Sequence, residues 1–294
     1  MAAQNMPAAE VDVTEDLVRD LLVEQHPDLA DLPLVVVANG WDNVILRLGR
    51  ELSVRVPRRQ AAARLVANEQ RWLPELAPRL PLPVPVPVRR GVPTGFYPWH
   101  WSVCPWFDGD LAADVAPAGR TAARQLGGFL GALHTSAPDD LPANAALRGG
   151  PIAALVERVA ANIAALGDRI DASAVLARWD ELSAVEEWSG DPQWLHGDLH
   201  TANVLLQDGA ISAVIDFGDI GAGDPAVDLA IAWMLFDERT RVVFRSSLAT
   251  VDDAMWQRGQ AWGLHFALVY LLHSADSPRF ERMGGYLLAQ VMAG

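Results

Sequence analysis

Two stretches of this 294-residue chain decide its fold: residues 194–203, WLHGDLHTAN, and residues 214–218, VIDFG. Each stretch begins with apolar residues, so each is expected to leave the end of a buried strand. The first carries Asp198 and Asn203, and the second carries Asp216 within an Asp-Phe-Gly triplet. Aspartate and asparagine are common in turns and helix caps, so neither motif alone would indicate a function. Their combination, in this order, predicts a catalytic site.

The chemistry that fits these residue types is phosphoryl transfer. This reaction demands little covalent chemistry of a protein, which must instead hold a hydroxyl, metal-bridged phosphates and their charge in line. Asp198 is the predicted catalytic carboxylate, and Asn203 and Asp216 are the predicted ligands that hold Mg²⁺ against nucleotide phosphates. His196, just ahead of the carboxylate, is expected to brace the loop.

The same loop allows an alternative, because His196, Asp198 and His200 have the spacing of a metal-binding cluster in a hydrolase. Such a site requires further ligands from elsewhere in the chain. The remaining histidines form no second cluster in the sequence: His26, His100, His134, His265 and His273. The hydrolase alternative also leaves Asn203 and Asp216 unexplained, so phosphoryl transfer is the favoured interpretation.

The loop resembles that of the aminoglycoside phosphotransferase (APH) family, the small-molecule branch of the kinase-like fold. Members carry His-Gly-Asp where protein kinases have His-Arg-Asp, as in residues 196–198, and the likeness continues in residues 223–230, GDPAVDLA. The resemblance implies an α+β, protein-kinase-like two-lobed fold, with a small N-terminal antiparallel-sheet lobe and a larger, mainly helical C-terminal lobe. It also implies that Asp228 hydrogen-bonds the backbone of the catalytic loop.

The N-terminal part has the order of elements that such a small lobe requires. A helix is predicted over residues 14–25, with Thr14 as its cap. Short strands are predicted over residues 34–37, 44–48 and 52–56. A second helix is predicted over residues 61–73, and Pro74 is expected to end or kink it.

A nucleotide site in this lobe requires a loop over the phosphates, a cation on the third strand and a carboxylate on the helix. The loop offers Gly40 and Asn43, the strand offers Arg55, and the helix offers Glu69. Most kinases use lysine as the cation, but arginine pairs bidentately with phosphate and stays charged. Arg58 is the alternative cation.

The proline-rich stretch over residues 81–88 predicts an extended connector that lies along the small lobe. Residues 101–107 then predict a strand leading into an interlobe hinge, which places the lobe boundaries at 1–107 and 108–294. In kinase-like folds, hinge backbone groups pair with the nucleotide base, and Cys104 lies near that point. Its thiol is interpreted as a packing group.

The C-terminal part is predicted to be mainly helical, with helices near residues 117–134, 152–166, 172–188, 226–236, 251–273 and 278–292. A hairpin turn is predicted at Asp208-Gly209. His134 is interpreted as a structural residue at a helix end, and Asp224 as a turn or cap residue.

Composition limits the classes of partner. The net charge is −14, with 37 acidic and 23 basic residues, which disfavours nucleic acid and is compatible with a cationic substrate. No apolar run approaches the ~20 residues of a membrane helix. The N-terminus lacks the features of a secretory signal, and the single Cys104 excludes an intrachain disulfide, so a cytoplasmic location is expected.

Together these features predict a Mg²⁺-dependent O-phosphotransferase that moves the γ-phosphoryl of ATP or GTP to a hydroxyl of a small molecule. The resemblance favours an aminoglycoside or related antibiotic, with a macrolide, a sugar, a choline-like alcohol or an amino-acid hydroxyl as alternatives. An alternative of another class is a catalytically silent nucleotide-binding module, suggested by the glycine-poor loop and the missing strand lysine. Monomer and homodimer remain open.

Overall fold

The computed structural model describes residues 7–115, 118–143, 148–274 and 276–294. Within these residues, five strands form an antiparallel sheet in the order β1-β2-β3-β5-β4. Its strands are β1 (Leu34–Asn39), β2 (Asn43–Leu48), β3 (Leu52–Pro57), β4 (Arg89–Gly91) and β5 (Trp101–Pro105). This sheet confirms the predicted N-terminal strands.

Two helices accompany this sheet. α1 (Glu15–Gln25) begins where the hydroxyl of Thr14 accepts a hydrogen bond from the Leu17 amide, and its apolar face is buried against the sheet. α2 (Gln60–Leu76) continues through Pro74, so the expectation that the helix ends there is wrong. A proline inside a helix removes one hydrogen bond. Burial of the last turn in the C-terminal core offsets that loss, because Trp72, Leu73 and Leu76 all pack there.

The proline-rich connector contains no helix or strand, and its first half lies elsewhere than expected. Leu82 and Val84 are buried in the core of the C-terminal part, and the Pro83 carbonyl accepts a hydrogen bond from the Val214 amide at 3.0 Å. Proline alternation leaves apolar side chains and free carbonyls, and both find partners on that side. Only from Val88, whose amide bonds the Val103 carbonyl at 2.8 Å, does the connector join the N-terminal sheet.

Short strands in the C-terminal part position the two motifs. β6 (Asp110–Leu111), β8 (Val204–Gln207) and β9 (Ala210–Val214) form one sheet, and β7 (Gln193–Leu195) pairs with β10 (Gly221–Gly223). The β8–β9 turn confirms the hairpin prediction, because Asp208 and Gly209 both have positive φ, at 52° and 78°. The catalytic loop therefore runs from β7 to β8, and the Asp-Phe-Gly segment leaves β9.

Helices surround these strands. They are α3 (Arg120–Leu133), α4 (Val156–Leu166), α5 (Ala172–Ser183), α6 (Ala226–Leu229), α7 (Ile231–Leu235), α8 (Glu238–Ser246), α9 (Asp253–Leu272) and α10 (Pro278–Ala293). Three predictions need correction: α5 ends well before residue 188, the helix over 226–236 is split at Ala230, and α8 was not predicted. No helix in the described ranges combines the length and apolar character that a membrane span requires.

Candidate active site

The backbone of the predicted catalytic loop is held by one buried carboxylate. Asp228 is 1% exposed and accepts hydrogen bonds from the amides of His196 (2.8 Å) and Gly197 (3.0 Å). Gly197 has φ +78°, a backbone conformation that residues other than glycine rarely adopt, which is why glycine suits this position. The contacts agree with the supporting role expected for Asp228.

A histidine on α3 completes this anchor. His134 follows the last residue of α3, and its Nε2 lies 3.1 Å from the Asp228 carboxylate. Burial alone would raise the pKa of Asp228, but the hydrogen bond and the charge of His134, with contributions from His196, lower it below its ordinary value. His134 is therefore structural, as predicted, and it ties α3 to the loop.

His196 braces the loop with both ring nitrogens. It is fully buried; Nε2 lies 3.1 Å from the Ile215 carbonyl, and Nδ1 accepts from the Asp198 amide at 3.2 Å. The Nδ1 atom of His200 likewise accepts the Ala202 amide at 3.2 Å. Within the described residues, no group of three or more His, Cys, Asp or Glu side chains is arranged to hold a metal ion. These contacts contradict the hydrolase alternative.

The two predicted metal ligands lie beside each other. The side-chain amide of Asn203 donates to the Asp198 carbonyl (2.9 Å), and the main-chain carbonyl of Asn203 accepts from the Ile215 amide (2.9 Å). Asp216 follows directly, with φ +64°. Such a conformation is strained for a non-glycine residue and is typical of functional sites. The hydrogen bond from the Phe217 amide to Glu69 (2.8 Å) helps to hold it.

Arg55 joins the N-terminal sheet, α2 and the Asp-Phe-Gly segment. Its Nη1 donates to both carboxylate oxygens of Glu69 at 2.8 Å, and its Nη2 lies 2.5 Å from Asp216. With its amide oriented so that the oxygen faces the guanidinium, Asn43 accepts from Nε and Nη2 at 3.1 Å. The structure thus brings together four predicted residues: Asn43, Arg55, Glu69 and Asp216.

This group contains one positive charge and two carboxylates, because the guanidinium of Arg55 contacts both Glu69 and Asp216. Burial raises the pKa of Glu69 to about 7; Arg55 opposes this rise and the nearby Asp216 adds to it. Burial also opposes ionisation of Asp216, but the charge and hydrogen bond of Arg55 hold its pKa below the ordinary value. Asp216 therefore stays ionised, as a metal ligand requires.

The loop between β1 and β2 is held by Arg58, the residue directly after β3. Gly40 donates to the Asn43 carbonyl at 2.9 Å, while Arg58 Nη1 donates to the side chain of Asn39 (3.0 Å) and the carbonyl of Gly40 (3.1 Å). Arg58 contacts neither Glu69 nor Asp216, so the geometry favours Arg55 as the cation. Gly40 lies on the loop as predicted, whereas Asn43 is the first residue of β2 and its side chain faces Arg55. Contact of either residue with phosphates stays a prediction.

Cys104 lies in β5, opposite Ser53 of β3. Its side chain is buried, and burial raises the pKa of its thiol to about 12, which agrees with a packing role. The role of the neighbouring backbone in binding a nucleotide base stays a prediction, as does the lobe boundary after residue 107.

A residue that sequence reasoning missed lies against the predicted catalytic carboxylate. Arg148 Nη1 is 2.7 Å from Asp198 Oδ1, 3.0 Å from Asp219 Oδ2 and 3.2 Å from the Gly197 carbonyl. It lies far upstream, in the connection between two predicted helices, where no periodicity or motif marks it. Only the tertiary fold identifies it.

Aromatic side chains from α9 and α10 pack against His200 of the loop. The ring of His200 is 6.1 Å from that of Tyr270 and 6.0 Å from that of Phe280, and these two rings lie 5.5 Å apart. Burial, with Asp198 adding to it, raises the pKa of Tyr270, so its phenol stays protonated. An apolar wall therefore borders the predicted catalytic carboxylate.

An antiparallel N-terminal sheet and a helical C-terminal part, with a carboxylate loop and an Asp-Phe-Gly segment beside them, define the kinase-like fold. The model of the phosphotransferase enzyme family (APH) matches residues 33–262, so the chain belongs to this family of phosphotransferases. No curated protein sequence shows significant similarity to the chain.

Solved structures of small-molecule phosphotransferases share the fold. The GDP complex of an aminoglycoside 2'-phosphotransferase-IIIa has 18% identity over 96% of this chain and 99% of that one, with a TM-score of 0.70. The macrolide 2'-phosphotransferase from Brachybacterium faecium has 24% identity over 92% and 97%, with a TM-score of 0.62. The streptomycin-ATP ternary complex of the aminoglycoside phosphotransferase APH(2")-IIa has 15% identity over 95% and 97%, with a TM-score of 0.60. These likenesses confirm the predicted fold class.

Proposed function

We propose that the chain is a Mg²⁺-dependent O-phosphotransferase that moves the γ-phosphoryl of ATP or GTP to a hydroxyl of a small molecule. The observation that carries the proposal is the chain of contacts from Glu69 through Arg55 to Asp216, continued through Asn203 to Asp198. This series joins a phosphate-binding cation, two oxygen ligands and a carboxylate base in one site, which is what phosphoryl transfer requires.

Asn203 and Asp216 fit a magnesium ion by their chemistry. The nitrogen of the Asn203 amide is engaged by the Asp198 carbonyl, so the amide oxygen is the atom left to face a cation. Mg²⁺ prefers oxygen ligands and is usually held by one or two protein groups together with phosphates and waters. When bound, it would supply positive charge that offsets the charge of the nucleotide phosphates.

Each side chain then has a defined task. Asp198 orients the substrate hydroxyl and accepts its proton as the new O–P bond forms and the bond to the leaving nucleotide oxygen breaks. The positive charge of Arg55 offsets the charge of the phosphates, and Glu69 holds the guanidinium through the contacts of both carboxylate oxygens with Nη1. His196 and Asp228 hold the loop in place without touching the reacting atoms.

For the acceptor, we expect an aminoglycoside or related antibiotic first. Support comes from the acidic net charge of −14 and from neighbours of the same fold whose complexes contain kanamycin, streptomycin or gentamicin. A macrolide is the leading alternative, since macrolide 2'-phosphotransferases share the fold and aromatic rings border Asp198. A sugar, a choline-like alcohol or an amino-acid hydroxyl also meets the chemical requirement.

An acceptor screen tests the proposal. ADP or GDP release is measured with ATP and with GTP across a panel of these classes, with Mg²⁺ and with EDTA. We expect turnover with at least one acceptor class, and its loss in EDTA and in Asp198→Asn. Nucleotide-dependent thermal stabilisation without turnover on any acceptor would instead indicate the silent nucleotide-binding module.

A further inference from the structure

Arg148 contacts three oxygens of the catalytic segments through a single nitrogen. Its Nη1 lies 2.7 Å from Oδ1 of Asp198 and 3.0 Å from Oδ2 of Asp219, and it donates to the Gly197 carbonyl at 3.2 Å. The arginine side chain is 26% exposed and both carboxylates are about one quarter exposed, so the group is partly shielded from solvent. We call Arg148, Asp198 and Asp219 the clamp.

The arrangement has an electrostatic consequence. Two carboxylate oxygens within about 3 Å of one atom repel each other strongly unless a cation lies between them. Arg148 is that cation for Asp198 and Asp219. Its bond to the Gly197 carbonyl adds a third fixed point directly beside Asp198. Without the guanidinium, the carboxylate of Asp198 would turn away from Asp219 and leave its present orientation.

We propose that Arg148 is a positioning residue for the phosphoryl-transfer base. This inference rests on the proposed function of the site. By holding Oδ1 of Asp198, Arg148 leaves Oδ2 as the oxygen that receives the proton of the substrate hydroxyl. Oδ2 of Asp198 lies 3.7 Å from Nε2 of His200, beyond hydrogen-bond distance. Oδ2 can therefore accept a hydrogen bond from the substrate hydroxyl while Arg148 holds Oδ1.

The geometry specifies which substitutions preserve the clamp. All three contacts come from Nη1, so a lysine, although its side chain is one bond shorter, keeps a positive charge near the same point, whereas methionine keeps the apolar stem and removes the charge. Removing the charge of Asp219 also removes the repulsion that Arg148 offsets. The loss of kcat caused by Arg148→Met should therefore be smaller in Arg148→Lys. Adding Asp219→Asn to Arg148→Met should restore part of it.

The experiment measures kcat, the KM of each substrate and Tm for the full-length wild type and for R148M, R148K, D219N and R148M/D219N. We expect R148M to lower kcat about 100-fold, the size of effect that a small misplacement of a reacting group produces. The nucleotide KM should change little, because Arg55 and the metal ligands lie outside the clamp. R148K should keep most of the wild-type kcat. The double variant R148M/D219N should recover part of the kcat that R148M loses. R245M, at an exposed ion pair with Asp253, is the matched control and should behave as wild type.

Each other outcome has a definite meaning. Wild-type kcat in R148M overturns the inference while leaving the proposed function intact. A loss that neither R148K nor D219N relieves, with a matching fall in Tm, shows a purely structural role and overturns it as well. If the wild type transfers phosphate to no acceptor, the proposed function fails, and the inference fails with it.

Discussion

At the scale of single residues, Arg55 shows why its side chain suits this site. The chain contains no lysine at all, so every one of its 23 basic residues is arginine. Separate nitrogens of Arg55 reach Glu69 and Asp216, which a single ammonium does less well. The replacement of the usual kinase lysine is therefore accompanied by a geometry that uses the planar fork of the guanidinium.

Arg55→Lys tests this use of the fork. The single nitrogen of a lysine cannot contact both carboxylate oxygens of Glu69 and also reach Asp216. We therefore expect the nucleotide KM to rise about tenfold, which corresponds to about 1.4 kcal/mol. Steady-state kinetics with varied nucleotide measures it. Arg58→Lys is the control, since the hydrogen bonds described for the Arg58 side chain go to Asn39 and Gly40 of the loop. A larger rise in R58K than in R55K would support Arg58 as the cation.

Gly197→Ala tests whether backbone conformation at the loop matters for the reaction. An alanine at φ +78° costs about 1 to 2 kcal/mol of stability. Because the strain lies next to Asp198, kcat should fall as well. Gly209→Ala is a matched control: Gly209 also has φ +78°, but it lies in the β8–β9 turn with open space around an added methyl. Equal kcat values in the two variants would contradict a special role for residue 197.

The site residues differ in how far the sequence could predict them. Asp198, Asn203 and Asp216 belong to local motifs whose spacing reflects the chemistry, so their proximity could be expected. Arg55 and Glu69 required the order of strands and helix as additional information. Arg148 could not be predicted, because its partners lie far along the chain and its role arises only from the folded connection before α4.

At the scale of elements, periodic patterns predicted most helices and strands, and the exceptions have physical causes. Pro74 does not end α2, because tertiary burial of the following turn outweighs one lost hydrogen bond. α8 has a short polar sequence, ERTRVVFRS, in which Val242 is exposed, so few buried apolar residues mark it as a helix. Its N-cap bond, from the Thr240 amide to Asp237 at 2.8 Å, is a local signal that sequence reasoning overlooked.

A buried ion pair joins the start of α6 to α9. Arg258 Nε lies 2.6 Å from Asp224, and both side chains are 4% exposed. Arg258→Met leaves the carboxylate without its cation in a buried place, so we expect the free energy of unfolding to fall by about 3 to 5 kcal/mol. Urea denaturation measures the change. Arg245→Met, in the exposed pair with Asp253, should cost less than about 1 kcal/mol. Similar losses in the two variants would show that burial does not determine the strength of the pair.

At the scale of the whole molecule, the N-terminal and C-terminal parts share packing as well as catalytic contacts. The last turn of α2 and the first half of the proline-rich connector are buried in the C-terminal core. The contact of Arg55 with Asp216 and the hydrogen bond from the Phe217 amide to Glu69 cross between the same parts. The sequence predicted the fold class through its motifs, but it could not predict this packing, because it depends on which apolar faces meet in three dimensions.

Acid should destabilise the whole molecule in part through His265 of α9. Its side chain is 4% exposed, and burial, aided by Arg158 and Arg148, lowers its pKa to about 4. The unfolded chain binds this proton near pH 6.5, so the stability that neutral His265 contributes is present above pH 6.5 and is lost as the pH falls toward 4.

The free energy of unfolding should therefore fall by about 2 kcal/mol between pH 7 and pH 5 on account of this residue. His265→Phe should remove that part of the pH dependence, measured by urea denaturation at both pH values. His273→Gln, at an exposed position after the same helix, is the control. An unchanged pH dependence in H265F would show that His265 does not limit stability in acid.

The most direct test of the central claim compares Asp198→Asn with the wild type on an acceptor found by the screen. The substitution keeps the size of the side chain and removes the proton-accepting carboxylate. We predict that kcat falls by about 10²- to 10⁴-fold. The dissociation constant for the nucleotide, measured by calorimetry, should stay unchanged, because Arg55, Asn203 and Asp216 are intact. Full turnover in D198N with normal nucleotide binding would contradict the assignment of Asp198 as the catalytic base.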